Sequence, residues 1–409
     1  MRSLVQILIA ILLSVPLLAQ SSQQMRDRDP DLEAVKRLAG ELQAANFHYG
    51  PWYLLSRIRI ADAGFTETAS LPTGDSTGGV SLTIEAPNRL YLVPRKKTIF
   101  TLELTPGYSF IGSGEETGQF GYTARGDMHL LLNHLYLDVY GMREDALRAH
   151  VADVNRLVTL RNDEAGVGGE MKYSSRTSAL FNIRLRDLSF PERRFQPEDV
   201  PVNILDRKEK NGRLSLMHKT FPKTSFFVSG ERSDYDFERA TYKDSTRTFY
   251  GGGAIYNSGR TTVRLEGGPV KLDFDDPLEQ DFSGLTASFR AQRNDGRRTY
   301  TFGAHRDLGF SIYAFNNYFV SNTLIAAVSH VATRRLSLRA QSTYERDDYD
   351  VPVGGIDRRD TISYSSVGFI YAIRRLSLGA DVGWYERDST TGGDLDSGIR
   401  TVLHLSFTP

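Results

Sequence analysis

A period of two is the feature that most limits what this chain can fold into. From Leu376 to Arg387, the residues Leu376, Leu378, Ala380, Val382 and Trp384 alternate with Ser377, Gly379, Asp381, Gly383, Tyr385 and Arg387. Successive strand side chains point to opposite faces, so such a segment is a ribbon with one apolar and one polar side. Phe100, Leu102 and Leu104 alternate in the same way with Thr101, Glu103 and Thr105. Tyr300, Phe302 and Ala304 alternate with Thr299, Thr301, Gly303 and His305. Met171 to Arg186 reads as one nearly unbroken alternating stretch, with Phe181, Ile183 and Leu185 on one face and Lys172, Arg176, Arg184 and Arg186 on the other. Val263 and Leu265 alternate with Arg264 and Glu266. After Gly267-Gly268-Pro269 the apolar parity switches to Val270, Leu272 and Phe274, for which a one-residue bulge is the expected device.

These ribbons must bury or solvate their apolar side. After Ala19 the longest apolar runs are short, such as Ile325-Ala326-Ala327-Val328, whereas a membrane-crossing helix needs about 20 such residues. Mean hydropathy is -0.36, far too polar for a helical membrane protein. A membrane protein of this composition is therefore a closed barrel, because lipid tolerates no unpaired sheet edge. A secreted β-sandwich or propeller would also alternate. Three points favour the barrel: strands often of ten or more residues, about twice the usual length; charges on the polar face that a dry core would reject; and no propeller-type repeat.

Turn placement agrees. Pro94–Lys97, Phe221-Pro222-Lys223, Asn257-Ser258-Gly259, Asn294-Asp295-Gly296, Thr333-Arg334-Arg335 and Ile373-Arg374-Arg375 are tight connections. Asp187–Asn211, Ser233–Ser245, Arg346–Asp360 and Asp388–Gly398 read as long polar loops. Short turns at one end and long loops at the other characterise outer-membrane barrels. The expected fold is all-β: a transmembrane antiparallel up-and-down β-barrel of about 18 strands, with 16 as the next count, starting near Trp52. Asn133–Asn162 is ambiguous, because Glu144–Ala149 suits a helical loop as well as a strand. Leu403, Leu405 and Phe407 form a closing strand with a near-terminal aromatic, similar to the signal read by the barrel-assembly machinery, although Thr408-Pro409 follow it.

The expected organisation is a signal peptide over 1–19, a periplasmic or lumenal leader over 20–49 and the outer-membrane barrel over 50–409. Met1-Arg2-Ser3 is a short positive region and Leu4–Leu18 an apolar core of signal-peptide length, interrupted by Pro16. In the leader, Leu32, Val35, Leu38 and Leu42 sit at helical spacing, with Asp29 or Asp31 as cap and Pro30 near the first turn. Such a helix is either a short periplasmic element or one that docks on the barrel mouth and partly plugs it.

Charge and composition exclude several functions. Lys and Arg number 50, and so do Asp and Glu, so no basic surplus exists for nucleic acid. Cysteine is absent, which excludes disulfides, thiol catalysis, thiolate zinc sites and a lipid anchor on an N-terminal cysteine. The eight histidines show no ligand spacing; His129 and His134 fall on opposite strand faces. No nucleophile–base spacing marks an enzyme, and no cofactor is expected. Asp388, Asp394 and Asp396 share a Gly-rich loop that suits calcium less well than plain solvation. Gly251-Gly252-Gly253 suggests a kink or close packing.

If the apolar face meets lipid, the other lines a lumen. The lumen candidates are basic Arg57, Arg59, Lys172, Arg176, Arg184, Arg186, Arg264, Arg339 and Arg387, and acidic Glu85, Glu103, Glu266, Glu345 and Asp381. Nine against five favours anionic solutes or an acidic glycan; a mutually paired, wall-stiffening network is the competing interpretation. Tyr385 is a candidate for stacking on sugar rings.

Gly50-Pro51-Trp52-Tyr53-Leu54, Arg213–Leu216 with Phe221–Ser225 and Arg232–Phe237, and Tyr371–Leu378 with Trp384–Ser389 resemble the outer-membrane barrels called β-barrel porin 2. The resemblance covers most of residues 50–407. Members tend to be encoded with exopolysaccharide synthesis and export systems. It implies a conduit or accessory barrel for exopolysaccharide export, with outer-membrane lipid, the assembly machinery, polysaccharide and export-complex proteins as partners. The alternatives are passive solute passage and a plugged barrel acting through its extracellular loops.

Overall fold

A computed structural model describes residues 34–70, 76–95, 97–112, 117–151, 154–191, 202–313, 316–349, 357–391 and 396–409. The signal segment, the caps proposed at Asp29 or Asp31, Leu32 and Asp394 lie outside them. Among the described residues an α-helix, α1 (Ala34–Ala44), precedes a short strand (Phe47–Tyr49) and a single antiparallel sheet.

The sheet closes on itself with eighteen barrel strands. Two are interrupted: β1 consists of Trp52–Ser56 and Ile58–Ser70, and β2 of Ser76–Glu85 and Asn88–Arg95. The breaks lie side by side. Arg57 donates its backbone N–H to Pro87 O (3.1 Å) and Ala86 to Pro106 O (2.9 Å). Pro87 has no N–H to offer the ladder, which confines regular pairing to either side of it. There follow β3 (Thr98–Gly112), β4 (Thr117–Leu131), β5 (Leu135–Val151), β6 (Val154–Lys172), β7 (Thr177–Ser189), β8 (Arg207–Phe221) and β9 (Thr224–Phe237). The second half comprises β10 (Ser245–Asn257), β11 (Thr261–Phe274), β12 (Phe282–Asn294), β13 (Arg298–Phe310), β14 (Tyr318–Val331), β15 (Leu336–Tyr349), β16 (Arg359–Ile373), β17 (Leu376–Ser389) and β18 (Asp396–Phe407). Every strand pairs with its sequence neighbour, and β18 closes the ring on β1, from Phe407 opposite Ile58 to Arg400 opposite Thr66.

One open sequence reading is resolved and three expectations need correction. Glu144–Ala149 is strand, inside the long β5–β6 hairpin. The alternation from Met171 to Arg186 is not one strand: a turn at Tyr173–Arg176 divides it, and the pattern survives because a four-residue turn preserves parity. Asp187–Asn211 and the other long loops are shorter than read, since their charged ends continue the strands. No bulge follows Gly267: the β10–β11 register is unchanged from Phe249↔Val270 to Gly252↔Gly267, and β11–β12 pairs without a shift. Apolar residues switch sides because two apolar environments exist. Leu265 is exposed on the outside, and Val270, Leu272 and Phe274 are buried inside.

The outside carries an apolar belt. Leu102, Leu214, Val228, Leu285, Val367 and Leu403 are each more than half exposed. Toward the long-loop end the same outer face becomes ionic, as in Arg232–Asp234 and the Arg346–Asp348–Arg359 cluster. The triple glycine is a close-packing device. A Cβ on Gly251 would lie 2.2 Å from the Phe249 ring, and one on Gly253 would lie 2.0 Å from Leu265 O and 2.5 Å from the Phe227 ring.

Candidate lumen and its inward hairpin

The inner face is a lattice of ion pairs. Charges removed from bulk water persist only when paired and hydrogen-bonded. Arg59 meets Glu85, with Nε–Oε2 at 2.7 Å. Arg89 holds both Glu103 (2.6 Å) and Glu41 of α1 (2.8 Å). Arg186 donates to Asn162 (2.7 Å) and faces Glu209, which Arg207 also binds at 2.8 Å. Arg213 bridges Glu231 and Glu266. Arg339 donates to Asp381 (2.6 Å), whose other oxygen lies 2.7 Å from His404 Nε2. Arg387 and Arg358 converge on Asp360 Oδ2, each at 2.9 Å.

The candidates named from sequence are distributed as follows. Arg59, Glu85, Glu103, Arg186, Arg264, Glu266, Arg339, Asp381 and Arg387 all belong to this lattice. Arg184 is buried on the same face. Glu345 is buried and accepts from Ser321 Oγ (3.1 Å). Tyr385 shares the inner face of β17 with Asp381 and Arg387. Lys172 and Arg176 stand exposed at the short-turn rim, Lys172 at 3.7 Å from Glu170. Arg57 lies at the break in β1; its Nε is buried with no hydrogen-bond partner.

Sequence reasoning missed Arg89, Arg207, Glu209, Arg213, Glu231, Arg247, Asp307, Lys243, Arg358 and Asp360. Several fall in stretches read as polar loops. The available signal was their continued period of two, as in Arg207, Glu209 and Asn211. It also missed that Asp127, His129 and Asp138 bring three donor groups within 4.8 Å of one another.

The second feature is a hairpin folded into the barrel. β12 stays paired with β11 up to Phe282, and β13 with β14 up to Phe310, but the β12–β13 ladder stops at Ala287↔Arg306. Beyond that point the β13–β14 tip leaves the wall, and Arg306 Nε donates to Leu285 O (3.2 Å) beside the gap. On one side the tip reaches β9 and β10, strands it could not touch if it stayed in the wall. Arg247 donates to Asp307 (3.1 Å), and Phe310 packs edge-on against Tyr235 and Phe237, with ring centroids 4.8 and 4.9 Å away. Lys243, fully buried after β9, donates to Ser311 O and to Asn316 O (3.4 Å). On the other side Phe319 and Tyr313 meet Tyr349, and the Arg358 guanidinium lies 4.1 Å over the Tyr313 ring. The tip is thus a crossbar from β9–β10 to β15–β16.

An apolar cluster fixes this crossbar at the long-loop end. Leu188, Phe190, Val202, Leu205, Phe237 and Phe274 are buried there with Leu308, Phe310, Ile312 and Tyr318 of the tip. The described ends of the connection between β7 and β8 are tied together by Asp206, which accepts from the Phe190 N–H (2.7 Å). Burial pushes the Asp206 carboxyl up to about 6. At the opposite end α1 docks on the inner face. Leu38 is buried against Tyr91 and Ile99, and Glu41 accepts from the Tyr91 hydroxyl (2.9 Å).

No family profile matches the chain, and no curated protein is similar to it by sequence. Solved structures are similar in fold. OpdK of Pseudomonas aeruginosa, crystallised with vanillate, superposes with a TM-score of 0.51 at 10% identity, covering 87% of this chain and 98% of that one. OccAB4 of Acinetobacter baumannii gives 0.50 at 12% identity over 88% and 98%. OccAB2 of the same organism gives 0.50 at 11% over 88% and 99%. The chain has the fold of bacterial outer-membrane porin barrels, and the bacterial outer membrane is the location that fold goes with.

Proposed function

We propose that this chain is a passive outer-membrane channel for small polar solutes, narrowed by the inward β13–β14 tip. The observation that carries this reading is the contrast between its two faces. An exposed apolar belt surrounds the outside, and a charged, hydrogen-bonded lattice lines the inside. A belt of this kind suits acyl chains, and the lattice suits a wet path. The lumen candidates then contact the solute. The preference for anions rests on Arg57, which has no ion-pair partner among the described residues, while most other inner charges are neutralised in pairs.

The test is single-channel recording in planar bilayers of the wild type and of a variant lacking residues 311–317. Wild-type conductance that rises severalfold on deletion supports a narrowed channel. A silent wild type and a conducting deletion variant would instead favour a plugged barrel acting through its loops, a reading the apolar cluster supports. Silence in both overturns the channel reading. Arg57→Gln is expected to lower anion selectivity, read from the reversal potential in a salt gradient.

Export of exopolysaccharide is the wider alternative that the family resemblance implies. A polymer would need the crossbar displaced. Tyr349, Tyr364 and Tyr385 on the inner face then offer rings for sugars to stack upon. Unchanged polysaccharide secretion in a deletion strain would remove this alternative and leave small-solute passage standing.

A further inference from the structure

We propose that Asp127, His129 and Asp138 form a divalent transition-metal site, zinc by its donor set, on the inner wall near the short-turn end. The geometry follows from the strand ladder. His129 on β4 is directly opposite Asp138 on β5, and Asp127 lies two residues earlier on the same face, opposite Tyr140. An i, i+2 pair plus one cross-strand partner puts three side chains on one pleat.

The donor atoms of the three residues all lie within 4.8 Å of one another. His129 Nδ1 and Asp138 Oδ1 are 2.9 Å apart. Ligands of a tetrahedral zinc with bonds of ~2.0–2.1 Å stand ~3.3 Å from each other, so an ion requires only a small separation of these two atoms. Asp138 Oδ1 is buried and makes no hydrogen bond. A carboxylate oxygen and an imidazole nitrogen this close present two donor atoms to one point, where a cation between them would bind both. Imidazole with carboxylates suits zinc and its neighbours in the first transition row, whereas magnesium and calcium prefer oxygen alone.

The surroundings set the strength. Arg125 donates from Nε to both Asp127 oxygens, at 2.7 and 2.9 Å. It orients Asp127 but also competes for its lone pairs. Tyr136 Oη, 3.2 Å from His129 Nδ1, lies beside the position the ion would take, and water completes the coordination. An ion here would tie β4 to β5 just inside the mouth where Leu131 packs near α1.

The experiment uses the full barrel folded in detergent, stripped with chelator, and titrated with Zn2+ by calorimetry and with Co2+ by visible absorption. One ion per chain is expected. His129→Gln and Asp138→Asn are each expected to weaken binding ~100-fold or more, beyond what loss of an outer partner costs. Arg125→Met is expected to tighten it about tenfold by releasing Asp127. Heat-modifiable migration on gels confirms that each variant is a folded barrel. No stoichiometric binding, binding that survives both His129→Gln and Asp138→Asn, or weaker binding by Arg125→Met would overturn the site.

Discussion

Single residues in this barrel are constrained by what shares their face. Gly253 has no room for a side chain, because the Leu265 carbonyl and the Phe227 ring occupy it. Gly253→Val is expected to destabilise the barrel by ~1–3 kcal/mol, the usual cost of overpacking, measured by urea unfolding in lipid vesicles. Asp206 is constrained by burial instead. Its folded value of about 6 stands above the ordinary carboxylate value. The folded loop therefore binds more protons than the unfolded one between about pH 4 and 6, and loop stability falls as pH rises through that window. Above about 6 the cost is complete. Asp206→Asn keeps an oxygen for the Phe190 N–H and should abolish this pH dependence. Hydrogen exchange at Val202–Leu205 across pH 4–7 measures it, and a dependence that persists in the variant assigns it to another group.

At the scale of elements, the β13–β14 tip is the segment whose position most affects passage. Where the β12–β13 ladder ends, inner contacts of the tip take its place. Phe310 gains the rings of Tyr235 and Phe237, and Asp307 gains Arg247. Lys243 is its most exacting anchor, since a fully buried ammonium depends on the tip carbonyls it meets. Lys243→Met is expected to loosen the tip, seen as faster labelling of a cysteine placed at Tyr313 and more frequent openings in bilayer records. Labelling as slow as in the Lys243 background would show that the apolar cluster holds the tip unaided. The helix α1 is the matching element at the other end, fixed by Leu38 in an apolar patch and by Glu41 on Arg89.

For the whole molecule, the closed ring removes every sheet edge, so stability in lipid depends on the outer belt. Val228 lies in that belt, and Ser283 faces outward nearer the long loops. Val228→Arg should cost ~2–4 kcal/mol in a bilayer, whereas Ser283→Arg should cost ~0–1 kcal/mol. Equal costs would show that the belt does not meet hydrocarbon. The inner lattice is paired within the wall, so salt should affect selectivity more than stability.

The sequence by itself determined most of the strands, most of the short turns, the closed-barrel class and the facing of most side chains. All of these follow from a period of two and from local turn chemistry. Leu376–Arg387 illustrates this: its alternation specifies its outer and inner residues without reference to any neighbour. Only the tertiary structure decided what fills the inside. Val270, Leu272 and Phe274 look like a register slip until the inward tip supplies the apolar surface they pack against. Arg247 and Asp307 carry no mutual signal across 60 positions, and Asp127, His129 and Asp138 acquire metal-ligand geometry only when the β4–β5 register sets them on one pleat. Alternation is a local property of the backbone, whereas a charge's partner or a ring's neighbour depends on closure of the ring, which no short stretch of sequence records.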